Sequence, residues 1–190
     1  MFSTSASSRS ICDLSGAIAV PCRFLSSLIL VISSTIVAPL QAGTASPELT
    51  LSSTSGESIP LSGFCGPKNV LLACFPLAFT SSCTSELCAF SHDFDDFTAA
   101  ELQVLPISVD AVPSLKEFRS RSVVEVLLLS DFKREASAAF GVLRADTIFS
   151  NRAYVLIDKT GAIAWSDVEA TPGTTRENAD TLDAIRAIAV

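Results

Sequence analysis

The chain has 190 residues, room for one domain with an appendage but not for several. Its net charge of -7 is unevenly spread: residues 1–45 carry only Arg9, Asp13 and Arg23, so the acidic excess belongs to the remainder. An acidic body excludes a polyphosphate partner, because nucleic-acid binding needs clustered Lys and Arg to displace counterions.

The first 42 residues are rich in Ser and nearly free of acids. Within them Phe24 to Ala38 is an apolar run interrupted by Ser and Thr. It follows Arg23, and Leu40-Gln41-Ala42 follows it, the form of a secretory h-region and its cleavage site. The run is shorter than the ~20 apolar residues of a transmembrane helix. A cleaved export signal, a membrane anchor and an extension from an upstream start codon all remain open. Residues 1–42 are therefore set apart from an expected domain over residues 43–190.

From Pro47 onward short strand signals alternate with helical ones, the pattern of an α/β layer fold. Leu49 to Leu51 and Ser58 to Leu61 flank Ser55-Gly56 as a hairpin. Asn69 to Phe75 is a continuous apolar run, expected of a strand buried on both faces. Cys83 to Phe97 reads as helix, Leu102 to Val109 as strand, Pro113 to Arg121 as helix and Val126 to Leu129 as strand. Pro106 is a misfit that predicts a bulge or a sheet edge, since proline cannot donate to a ladder. Lys133 to Phe140 is a short helix stopped by Gly141. Strands Ala153 to Ile157 and Ala162 to Val168 are joined by the turn Asp158-Lys159-Thr160-Gly161, and Thr175 to Ile188 closes the chain as helix.

The six cysteines, Cys12, Cys22, Cys65, Cys74, Cys83 and Cys88, leave the last hundred residues empty. A chain this rich in apolar runs needs no disulfide scaffold, and cytoplasmic thiol chemistry fits better than a stapled secreted fold, with export or membrane attachment through residues 1–42 the alternative. Cys83 lies where an apolar strand gives way to an amphipathic helix. The first turn of a helix offers unpaired N–H groups and the positive end of the dipole, which favour a thiolate. At about 100° per residue, Cys83 shares a stripe with Leu87, Phe90, Phe94 and Phe97, whereas Cys88 falls with His92 and Asp95 on the polar side. An ideal rise of ~7.5 Å over five residues exceeds the ~4.4 to 6.8 Å between disulfide-bonded Cα atoms, so joining Cys83 to Cys88 requires the helix to unwind.

Pro76, Thr80 and Cys83 form the pattern Pro-x-x-x-Thr-x-x-Cys, by which the chain resembles the peroxiredoxins of the AhpC/TSA superfamily. The likeness runs from about Gly43 to about Val168. It includes Ser46-Pro47-Glu48-Leu49-Thr50-Leu51, Leu129-Ser130-Asp131-Phe132 and Arg152-Ala153-Tyr154-Val155-Leu156-Ile157-Asp158. The wording around Cys83 looks most like the alkyl-hydroperoxide-reductase E and bacterioferritin-comigratory branches. The resemblance implies a thioredoxin-like fold, a central mixed β-sheet with helices on both faces, and a peroxidase needing no cofactor. It implies that Cys83 attacks a hydroperoxide, that Thr80 orients it, that Pro76 shields the sulfur and that Arg152 supplies a cation. An acid at Glu86 joins the site network in related proteins, and a cysteine at the offset of Cys88 commonly resolves the sulfenic acid. The implied reductant is thioredoxin, a glutaredoxin-like protein or a low-molecular-weight thiol, and the implied assembly a homodimer.

Other residues have plainer readings. Cys74 is expected to be an inert core thiol, Cys65 a loop thiol without a role, and His92 a solvated surface residue. Asp93, Asp95 and Asp96 read as a solvated face, and Phe90, Phe94 and Phe97 as core. Cys83-x-x-x-x-Cys88 has no second pair with which to bind zinc, and neither a phosphate loop nor a Gly-x-Ser-x-Gly elbow is present. A thiol-disulfide oxidoreductase would want Cys-x-x-Cys, which is absent. A noncatalytic binding module on the same scaffold is the remaining alternative.

Overall fold

The computed structural model describes residues 38–64 and 66–188. Cys12, Cys22, Cys65 and the apolar run as far as residue 37 lie outside the described residues, and with them the readings of an export signal, an anchor and a loop thiol. Among the described residues no helix is long and apolar enough to cross a membrane.

Seven strands form one sheet: β1 (Thr50–Ser53), β2 (Ser58–Pro60), β3 (Asn69–Cys74), β4 (Leu102–Ser108), β5 (Leu129–Ser130), β6 (Ala153–Ile157) and β7 (Ile163–Val168). Their order is β2-β1-β5-β4-β3-β6-β7. The middle pairs β3/β4 and β4/β5 are parallel, while β1 and β6 join them antiparallel. β3 is buried at every position, as its unbroken apolar run requires. Five α-helices complete the domain: α1 (Ser81–His92), α2 (Phe94–Ala99), α3 (Val112–Arg121), α4 (Glu135–Ala139) and α5 (Asn178–Ala187).

Strand alternation divides the core in two. Leu71, Ala73, Tyr154 and Leu156 face α1, α3 and α5 and pack with Leu87, Phe90, Phe97, Phe118, Leu182 and Ile185. Val70, Leu72, Cys74, Val155 and Ile157 face the other way, toward Leu61, Ala136 and Phe140. Burying a side chain such as Phe90 or Phe118 stabilises the fold by roughly 1.5–3 kcal/mol, so helices are anchored on both faces. The described chain begins on the second face. Leu40 donates to the Phe140 carbonyl (3.3 Å), Ser166 Oγ donates to the Leu40 carbonyl (2.9 Å), and the Gly43 amide donates to Ile163 (2.8 Å).

Three expectations need correction. The helix expected from Cys83 to Phe97 breaks at Asp93, whose carboxylate accepts from Asn178 at the start of α5 (2.9 Å) and pairs with His92 (2.6 Å). The break turns Phe94 out of the core, leaving it 43 % exposed. The strand expected at Val126 to Leu129 is the shorter β5. That shortness resolves Pro106, which lies in the interior strand β4 without the expected bulge or edge. The Ile107 carbonyl accepts from Phe75 on the β3 side and the Ser108 carbonyl from Asp131 on the β5 side. By alternation the missing Pro106 N–H faces β5, which pairs only with Ile107 and Ser108. No ladder bond is lost.

Candidate active site

The site begins where β3 ends. The turn from Phe75 to Thr80 is fixed at several points: the Phe75 carbonyl accepts from Ser150 Oγ (2.9 Å), and the Ala78 amide donates to Asp110 (2.8 Å), itself held by Ser108 (2.9 Å). Phe79 takes a positive φ of 64° and meets the Phe118 ring edge-on at 5.2 Å. A non-glycine residue holds that conformation only where its surroundings enforce it. Pro76 is buried in this turn. Thr80 is the N-cap residue of α1 but makes no side-chain cap bond; its hydroxyl donates to the Leu77 carbonyl at 3.1 Å and is exposed.

Cys83 occupies the first turn of α1 and is 1 % exposed. Arg152, 69 positions later and fully buried just before β6, donates from Nη2 to its sulfur at 3.2 Å. Glu86, one turn beyond Cys83, accepts from Arg152 Nη1 through Oε2 and from the Tyr154 hydroxyl through Oε1 at 2.5 Å. The Pro172 carbonyl accepts from both Nε and Nη2 of Arg152, at 3.2 and 3.1 Å. A guanidinium has five donors. Four of these have acceptors among the described residues, and one hydrogen on Nη1 is left over.

The tertiary structure thus brings Cys83, Glu86 and Arg152 into contact and sets Pro76 and Thr80 in the preceding turn. It separates Cys88 from them. Cys88 does not face solvent as the helical wheel predicts: it is half-buried, its thiol donating to the Ser122 carbonyl at 3.5 Å, because α3 and the loop after it cover that flank of α1. His92 is exposed beside Asp93, which raises its pKa through their hydrogen bond. Cys74, Cys83 and Cys88 are all free thiols, and among the described residues no group of three or more His, Cys, Asp or Glu side chains is placed to hold a metal ion. Sequence reading missed Tyr154 and the Pro172 carbonyl. Tyr154 carried a signal, since it follows Arg152 by two residues at the start of a strand, where alternation sends i and i+2 the same way if the extended backbone reaches back that far. The carbonyl carried none.

On a mixed sheet of this order, a buried sulfur held against a guanidinium at a helix start is the equipment of a thiol-dependent redox enzyme. Residues 42–166 match the model of the AhpC/TSA family. Alkyl hydroperoxide reductase E of Mycobacterium bovis is 33 % identical over 151 residues, spanning 78 % of this chain and 98 % of that protein. Peroxiredoxin Bcp of Escherichia coli is 34 % identical over 104 residues, 55 % of this chain and 66 % of that protein. The reduced 2-Cys peroxiredoxin of Plasmodium vivax superposes with a TM-score of 0.72 at 28 % identity, covering 79 % of this chain and 97 % of that one. The chain belongs to the AhpC/TSA family: it is a peroxiredoxin with a thioredoxin-like fold, a thiol-dependent peroxidase that takes a hydroperoxide as substrate and a thiol as reductant.

Proposed function

We propose that Cys83 is the sulfur that receives the peroxide oxygen, a reading carried by the 3.2 Å contact from Arg152 Nη2 to Cys83 Sγ. As a thiolate it attacks the terminal oxygen of ROOH. The S–O bond forms as the O–O bond breaks, giving a Cys83 sulfenic acid and an alkoxide that takes up a proton to leave as ROH. The charge that develops on the leaving oxygen needs donors already in place. The α1 first-turn amides and the unused Nη1 hydrogen of Arg152 are suited to that task. Thr80 Oγ1, whose proton goes to Leu77, keeps its lone pairs for a peroxide hydrogen. Pro76 keeps water from the sulfur, and Glu86 fixes the guanidinium.

Regeneration runs through Cys88. Its thiol attacks the sulfenic sulfur, forming the Cys83–Cys88 disulfide and releasing water, after which thioredoxin or a glutaredoxin-like protein supplies two electrons. Because α1 is continuous from Ser81 to His92, its first turns unwind before the sulfurs meet. A low-molecular-weight thiol acting directly on Cys83 is the competing route. The cysteine usage of the sequence suits a cytoplasmic enzyme, with export or membrane attachment through residues 1–42 the alternative, and family likeness supports a homodimer. Mass spectrometry after one equivalent of peroxide with dimedone is expected to label Cys83, and in its absence to find the Cys83–Cys88 link. Labelling at another sulfur overturns the assignment. Cys88→Ser is expected to slow thioredoxin-supported turnover at least tenfold; unaltered turnover removes Cys88 from the cycle.

A further inference from the structure

Glu86 is a liability as well as a support. Its side chain is 3 % exposed and that of Arg152 is not exposed at all, and a buried ion pair is tolerated only when the remaining lone pairs and hydrogens are also satisfied. Carboxylates prefer to take a guanidinium with both oxygens. If Glu86 did so, it would claim a second Arg152 donor, and the one it would compete for is the Nη2 that serves Cys83. Something must occupy Oε1. Tyr154 does, at 2.5 Å, and its oxygen in turn accepts the Arg176 backbone amide at 3.3 Å.

We propose that Tyr154 is a positioning residue: braced by the loop that follows β7, its phenol holds Glu86 to one oxygen's worth of Arg152 and so leaves Nη2 free to face the Cys83 sulfur. This role, which rests on the site reading above, follows from two features of the fold. Arg152 immediately precedes β6, its carbonyl accepting from the Glu169 amide (2.9 Å), and Tyr154 lies within the strand, so the cation and the phenol reach Glu86 from adjoining, well-held positions. The loop grips both of them, the Pro172 carbonyl on Arg152 and the Arg176 amide on Tyr154. That loop is itself tied down, since Arg176 pairs with Asp167 and Glu169 and lies over the Trp165 ring at 5.5 Å. Burial raises the Tyr154 pKa, opposed by the amide bond from Arg176 and the charges of Arg152 and Arg176 and aided by Glu169. The group therefore remains a phenol and keeps its proton for Glu86.

Tyr154→Phe keeps the ring and removes only the hydroxyl. Stopped-flow oxidation by hydrogen peroxide, read through the single Trp165, is expected to slow roughly tenfold, with the pH profile of the oxidation rate displaced to the alkaline side. In a Glu86→Gln background, where no carboxylate competes for Nη2, the same change is expected to cost less than twofold. An unchanged rate and profile, or the same loss in both backgrounds, overturns the proposal. Should Tyr154→Phe not fold, the chain's only tyrosine can be replaced by 3-fluorotyrosine. Its single 19F resonance is expected to move when Cys83 is oxidised, and a resonance indifferent to peroxide defeats the proposal. If Cys83→Ser is inactive while Tyr154→Phe is normal, the positioning role fails and the site reading survives; dimedone on another sulfur is the separate failure of that reading.

Discussion

Cys74 and Cys83 are nine positions apart, equally hidden at 3 % and 1 % exposure, and lie on opposite faces of one sheet. Cys74 ends β3 on the face covered by α4, where the charge that acts on it is the Asp131 carboxylate. Burial first and that negative charge second push its thiol up to about 12. Asp131 is not there for the cysteine. It accepts from the Ala136 amide (2.9 Å) and from the amide and hydroxyl of Ser137 (2.7 and 2.6 Å), and so ties α4 to the end of β5. Cys83 has the same shelter from water but a guanidinium against its sulfur and a helix start beneath it. Burial alone makes a cysteine inert; the sign of the charge sharing its pocket decides whether it can act.

The two sulfurs differ most when each is replaced. Cys83→Ser is expected to abolish peroxide consumption, a loss above about a thousandfold, whereas Cys74→Ala changes the rate less than twofold and costs about 1 kcal/mol of stability. A stopped-flow assay and a urea titration read both. Arg152→Lys keeps the charge but loses the planar fork that serves Glu86, Pro172 and the sulfur together. Its expected effect is about a hundredfold on peroxide reactivity, equivalent to about 2.7 kcal/mol of barrier.

A smaller effect sharpens the contrast through pH. The Cys74 thiol keeps its proton in the folded state well past the pH at which an unfolded cysteine, with its ordinary value of about 8.5, has lost it. The unfolded chain then binds fewer protons, so stability falls as pH rises from about 9 toward 12. Urea midpoints at pH 7.5 and 10 are expected to show that loss, reduced in Cys74→Ala. An equal alkaline loss in both proteins would mean that Cys74 is not its source.

Much of this was legible in the chain. The unbroken run at β3 required burial on both faces, Gly141 at φ +71° stops α4 where a side chain would strike the Ala38 carbonyl, and β6 was read to the residue. Pro76, Thr80, Cys83, Glu86 and Arg152 all gave recognisable signals. Two of the errors share one cause. Phe94 and Cys88 were assigned to faces of an ideal helix, but Asn178 captures Asp93 from far along the chain and Ser122 covers Cys88. A wheel drawn for one helix contains neither partner.

Most of the strands and the helix start under Cys83 were already written in the order of the residues, because these follow from periodicity and from end effects within one turn, and the site residues were legible through the family resemblance. Packing settled which sulfur meets a cation and which an anion, how Glu86 is divided between Arg152 and Tyr154, and that a backbone carbonyl at Pro172 takes two of the guanidinium's hydrogens. Those are interactions between groups 57 to 69 positions apart, or with main-chain atoms that every residue has. Electrostatic sign at a buried atom depends on distances of a few ångströms, which packing sets and spacing along a chain does not encode.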